Sequence, residues 1–204
     1  MTRLDRRIPL PEGLQYREAF ISSDEELALL AAIAELPLAP AVYRQYTAKR
    51  RILSFGTGYD FASNRLTPAP GIPAFLSPLR ERVAQWTGLD AEAFSHALIT
   101  EYQPGVALGW HRDVPQFSVV VGISLAGSTR MRFRPYPVRP NPREDTFALE
   151  LAARSVYVLR DEARWCWQHS VPAVKTLRYS ITFRTLRLGL RSEETLHTLS
   201  DRGR

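Results

Sequence analysis

The sequence predicts a mainly β protein, a sandwich or jelly roll with helices packed outside it, on three observations. From residue 95 nearly to the end, short runs rich in Val, Ile, Tyr and Phe are separated by Gly, Pro and Asn. Ahead of them lie two segments with helical periodicity and recognisable start and stop signals. The chain has 204 residues, 45% of them hydrophobic and 24% charged, which suits one globular domain with a sizeable core.

The elements follow in order. Residues 1–20 read as a lead-in with one strand over 14–20. Ser22 or Ser23 before Asp24-Glu25-Glu26 is a capping-box pattern. Leu27, Leu30, Ala31, Ile33 and Ala34 carry that start into a helix that ends near Pro37. Residues 41–72 are broken by Arg, Tyr, Gly and Pro into short β-prone pieces such as 51–55. A second helix is expected from Pro73 to Trp86, with Gly88 as its stop. Strands are then expected over 96–103, 106–111, 117–125, 130–134, 146–151, 155–160 and 177–187. The tail, 188–204, is polar, although Leu190, Leu196 and Leu199 permit a short helix.

Composition narrows the function classes. Cys166 is the one cysteine, so an internal disulfide and a Cys-based zinc site are excluded. No run of 18 apolar residues exists, and the first residues lack the apolar core of a signal peptide. A cytoplasmic, reducing setting, no membrane and no obligate protein partner are the expectations, with a monomer as the simplest state. The net charge is +6, and of 27 basic residues only Lys49 and Lys175 are lysines. Arginine's planar fork matches phosphate and carboxylate, so the surplus points to a polyanion such as nucleic acid. A genome rich in Arg codons gives the same composition.

Two patterns carry chemistry. His111 and Asp113 are i and i+2 at a strand end, so they share a face. With the distant His169 they make two imidazoles and one carboxylate, the donor set of a non-haem Fe(II) site with positions left open. By itself, H-x-D is a weak motif. The last strand adds Arg178, Ser180, Thr182 and Arg184 at even spacing on one face, with Tyr179, Ile181 and Phe183 on the other. Buried guanidinium groups require partners, and a dicarboxylate supplies one carboxylate for each. Protein carboxylates or solvent on an edge strand are the alternatives.

In this order, His111-x-Asp113, His169 and Arg178-x-Ser180-x-Thr182-x-Arg184 resemble the AlkB family of Fe(II)/2-oxoglutarate dioxygenases. The stretches 98–113, 118–125 and 154–171 support the likeness, which spans about residues 45–187. It implies a double-stranded β-helix (jelly roll) over 95–187, packed against N-terminal helices and a nucleotide-recognition lid at about 42–72, within a single domain. It implies that His111, Asp113 and His169 ligate iron. Arg178 would pair with the distal carboxylate of 2-oxoglutarate, with Tyr102 donating a hydrogen bond, and Arg184 would sit near the proximal one. Thr100, Ser180 and Thr182 complete the co-substrate set. Ser180 matches a tRNA-modifying branch.

The implied activity is oxidative dealkylation or hydroxylation of an alkylated base in DNA or RNA, using Fe(II), 2-oxoglutarate and dioxygen. The lid candidates are Lys49, Arg50 and Arg51 for phosphates and Tyr59 and Phe61 for stacking. Arg130, Arg132 and Arg134 alternate on one strand face, as a second phosphate track or an ordinary exposed face. Trp165 and Trp167 are expected in the core, and Cys166, His96 and His197 are assigned no role. A protein or small-molecule hydroxylase, or a nucleic-acid-binding module without turnover, are the rival readings.

Overall fold

The computed structural model describes residues 10–43, 46–60, 65–140 and 145–187. Phe61, His197 and the possible helix of the tail lie outside the described residues.

The chain opens with β1 (Leu14–Arg17) and α1 (Ser23–Ala34). Ser22 caps α1: its hydroxyl accepts from the Glu25 amide, and the Glu25 carboxylate accepts from the Ser22 amide in return. Next come β2 (Ala39–Tyr43), β3 (Tyr46–Phe55) and the hairpin β4 (Thr57–Asp60) and β5 (Arg65–Pro68). Helix α2 (Ser77–Thr87) begins with Pro78 in its first turn and stops at Gly88, whose φ of +70° is the left-handed cap conformation.

The remainder is β6 (His96–Tyr102), β7 (Leu108–His111), β8 (Phe117–Leu125), β9 (Thr129–Pro135), β10 (Phe147–Leu151), β11 (Val156–Leu159), the short helix α3 (Asp161–Trp165), β12 (Trp167–Val171) and β13 (Arg178–Leu186). The expected strands are present to within a few residues at each end. β12 and α3 were not expected: Asp161, Glu162 and Arg164 make the segment read as a loop, although Trp167, His169 and Val171 alternate correctly.

Two sheets form a jelly roll. The larger has the order β1-β11-β8-β13-β6-β3-β2, and the smaller β10-β9-β12-β7. β13 lies between β6 and β8, so the alternation read from its sequence has two distinct destinations. Ile181 and Phe183 pack with Ile99, Val121 and Ile123 against Leu29 and Ile33 of α1 and Leu79 and Val83 of α2. Arg178, Ser180, Thr182 and Arg184 face the space between the sheets. The smaller sheet closes that space with Met131, Phe133, Leu149 and Trp167. β3 of the 42–72 segment belongs to the large sheet, paired with β6, and the β4–β5 hairpin extends beyond it.

Candidate active site

Strand pairing builds the centre of the site. His169 on β12 lies directly opposite His111 on β7, with ring centroids 4.2 Å apart. Asp113 follows β7 and turns back so that its Oδ2 is 3.6 Å from His169 Nε2. One ligand atom from each of the three residues falls within 4.8 Å of the others. Gly109 O stands 2.9 Å from His111 Nδ1. A carbonyl only accepts, so Nδ1 carries the proton and Nε2 keeps its lone pair for a metal.

The electrostatics suit coordination. Burial, and then the neighbouring His111, push His169 down to about 3, and burial also lowers His111. Both imidazoles are therefore neutral near pH 7. Burial alone would raise the Asp113 carboxyl. The guanidinium of Arg184, helped by His169, His111 and Arg164, holds it well below the usual carboxylate range. Arg184 donates from Nε at 3.0 Å and Nη2 at 2.8 Å, both to Oδ1. Oδ2 is left toward the imidazoles.

The centre opens on a cavity of about 300 Å³, lined by His111, Asp113 and His169 together with Thr100, Tyr102, Arg178, Ser180, Thr182 and Arg184. Arg178 is only 2% exposed. Its Nε donates to Ser124 Oγ at 2.9 Å, and its guanidinium carbon is 5.2 Å from the Tyr102 ring, the residue opposite it on β6. Among the described residues no carboxylate pairs with it. A buried guanidinium without an anion is costly, so the cavity is built to receive one. The donor set thus fits Fe(II), and the buried cation beside it fits a carboxylate co-substrate.

Several contributors carried no sequence signal. His96, assigned no role above, is buried in the cavity wall and accepts from Arg184 Nη1 at 3.3 Å. Arg164 is 3% exposed, and its Nη2 donates to the carbonyls of Asp113, Val114 and Phe117 at 3.2, 2.8 and 2.8 Å. That clamp fixes the loop carrying Asp113. Tyr157 lines the cavity from β11, its ring lying across Gly122 of β8. A Cβ at Gly122 would meet that ring at 2.4 Å. Gly122→Ala should therefore destabilise the fold by about 1–3 kcal/mol through overpacking. Tyr157→Ala removes the clash while costing stability of its own. The double variant should therefore be less destabilised than the two single losses added together, and urea unfolding of the single and double variants reads that coupling.

The lid candidates separate by strand alternation. Arg50 and Tyr59 line the cavity mouth. Arg51 is on the opposite face of β3 and is tied within the protein, to Glu101 at 3.3 Å and to Leu38 O at 2.8 Å. Lys49 is exposed and does not line the cavity. The structure thus brings neither Lys49 nor Arg51 to the mouth, because neighbours in a strand point to opposite faces. Trp167 is buried against Phe147, as expected of a core residue. Trp165 is not in the core: it is half-buried beneath the guanidinium groups of Arg164 and Arg187.

Comparison with known proteins agrees with this geometry. A family model described as the 2OG-Fe(II) oxygenase superfamily matches residues 36–190. The chain is 29% identical over 190 residues to the Arabidopsis thaliana alkylated DNA repair protein ALKBH8 homolog, covering 83% of this chain and 53% of that one. It is 28% identical over 169 residues to the mouse tRNA (carboxymethyluridine(34)-5-O)-methyltransferase ALKBH8, covering 79% of this chain and 24% of that one. It therefore spans about half of the first protein and a quarter of the second. The solved structure of OsALKBH1 superposes with a TM-score of 0.67 at 16% identity, over 89% of this chain and 99% of that one, and shares the fold. The chain belongs to the 2OG-Fe(II) oxygenase superfamily, and it is a 2-oxoglutarate-dependent dioxygenase of the AlkB type, using Fe(II), 2-oxoglutarate and dioxygen.

Proposed function

We propose that this enzyme oxidises an alkyl group on a base of DNA or RNA, dealkylating or hydroxylating it. The observation that carries the reading is the His111–Asp113–His169 cluster sharing one cavity with the buried, carboxylate-free Arg178. The names of its relatives, the arginines at the mouth and the net charge of +6 support a nucleic-acid substrate.

His111, Asp113 and His169 would hold the iron. Iron, 2-oxoglutarate and dioxygen together supply the power to put oxygen into a C–H bond. Arg178, with Tyr102 and Ser124, would receive the distal carboxylate of 2-oxoglutarate. Thr100, Ser180 and Thr182 offer hydroxyls along the cavity wall between Arg178 and Arg184. Arg184 keeps Asp113 ionised and oriented, and borders the place of the proximal carboxylate. Arg50, Tyr59 and Arg112 stand at the mouth, where an alkylated base would enter. A base within a duplex must leave its stack to reach that depth. When the oxidised carbon is bound to nitrogen, the hydroxymethyl product releases formaldehyde.

The test is a panel of DNA and RNA oligonucleotides, each with one alkylated base, incubated with Fe(II), 2-oxoglutarate and air. Oxidised or dealkylated base, with equimolar succinate, is expected from at least one of them. Succinate stimulated by peptides or small molecules, and by no oligonucleotide, would move the substrate to another class.

A further inference from the structure

The outer face of the smaller sheet is strongly basic, and apart from Arg112 at its edge the proposed active site does not use it. Arg130, Arg132 and Arg134 point outward from β9, because Met131 and Phe133 between them are buried inward. Arg132 and Arg134 lie flat across β12. Their Nε atoms donate to Ser170 Oγ at 3.1 Å and to Gln168 Oε1 at 2.8 Å, the outward residues of that strand. Both guanidinium groups then rest on Trp110 of β7, with their carbons 5.1 and 4.5 Å from its ring. Arg112 continues the row. It stacks 3.7 Å from the Tyr136 ring, donates to Trp165 O at 3.0 Å, and also lines the cavity.

The row therefore begins at the cavity mouth and runs along β9. Among the described residues, none of these four arginines pairs with a carboxylate. Among the described residues, the acidic residue opposite Arg130 in register is Glu150, and it makes no ion pair with it. Like charges crowded on one sheet face oppose folding. Holding the Nε atoms of Arg132 and Arg134, and stacking these two and Arg112 on rings, removes rotamer freedom that a solvated arginine keeps, so three of the four forks are preorganised for an anion. Outward residues two apart on a strand are about 6.6–6.8 Å apart, a spacing suited to successive phosphates of an extended strand. The Trp110 ring is covered by guanidinium rather than open to a base, so this face reads backbone charge and not sequence.

We propose that this face, Arg112–Trp110–Arg134–Arg132–Arg130, is a docking track for the phosphates of a polynucleotide strand whose target base occupies the cavity. The proposal rests on the reading of a nucleic-acid substrate and adds where the flanking strand runs.

Salt dependence of binding tests it. The affinity of the 204-residue protein for labelled single-stranded RNA and DNA is measured over a series of KCl concentrations. The triple variant Arg130→Gln/Arg132→Gln/Arg134→Gln should lower the log–log salt slope by about 2, from three contacts of about 0.7 each on single strands. Arg132→Lys/Arg134→Lys keeps the charge and should keep the slope. Thermal unfolding establishes that each variant is folded. If the triple variant is not folded, Arg130→Gln alone should lower the slope by about 0.7. A folded triple variant, or failing that a folded Arg130→Gln, with the parent's slope overturns the track and leaves the substrate reading standing. A parent protein that binds neither RNA nor DNA overturns both.

Discussion

Asp113→Ala should lose tight binding of Fe(II) and destabilise the metal-free protein by about 3–5 kcal/mol. The first loss follows from removing one of three metal donors. The second follows from Arg184, whose side chain is 12% exposed and whose Nε and Nη2 both donate to Asp113 Oδ1. Without the carboxylate, a buried guanidinium has no counter-charge. Asp113→Asn keeps an acceptor for Arg184, so it should lose metal as fully while costing less stability. Urea unfolding without metal and iron content after reconstitution measure the two effects separately. Because the folded-state carboxyl is held below its ordinary value, its contribution is fully present above about pH 4. It disappears only as the pH falls through that lowered value. Equal stability of Asp113→Ala and the parent at neutral pH would show that the pair contributes nothing.

Arg178→Lys should raise the 2-oxoglutarate requirement roughly ten- to a hundredfold, the value of a charged hydrogen bond of about 1.5–3 kcal/mol. Lysine keeps the charge but loses the planar fork that donates in two directions at once. Ser124 Oγ, 2.9 Å from Nε, fixes the plane of the fork, and Tyr102 bounds it on one side. Iron affinity should be nearly unchanged, since Arg178 is not one of the metal donors. Arg178→Ala should cost more, with some destabilisation because Ser124 loses its donor. Titration of succinate formation against 2-oxoglutarate decides it. An unchanged requirement in Arg178→Lys would make Arg178 a structural residue and displace the co-substrate from this end of the cavity.

The sequence carried the fold and the centre of the site where spacing alone determines direction. On β13 the period of two separates Arg178, Ser180, Thr182 and Arg184 from Ile181 and Phe183, and the sheet between helices and cavity realises that separation. His111 was legible for the same reason, whereas Asp113 lies just past the end of β7 and reaches the same point by a turn of the chain. His169 was legible as a residue but not as part of a strand, because charged α3 hides the start of β12.

Residues that act through long-range pairing were not legible. His96 reaches Arg184 from the far end of β6, Arg164 clamps a loop about 50 positions earlier, and Tyr157 needs the space left by Gly122 on another strand. None of these leaves a local pattern. Arg51 shows the opposite failure. Beside Arg50 it reads as part of one basic cluster, yet strand alternation turns it to Glu101 and away from the mouth.

Whether one cavity holds iron and 2-oxoglutarate together is tested most directly by adding 2-oxoglutarate to the Fe(II)-loaded protein without oxygen and recording the visible spectrum. A weak charge-transfer band should grow and saturate with 2-oxoglutarate. It should be missing in His169→Ala and need more 2-oxoglutarate in Arg178→Lys. A folded, iron-loaded protein that shows no band at saturating 2-oxoglutarate would contradict the placement of the co-substrate beside the His111–Asp113–His169 cluster.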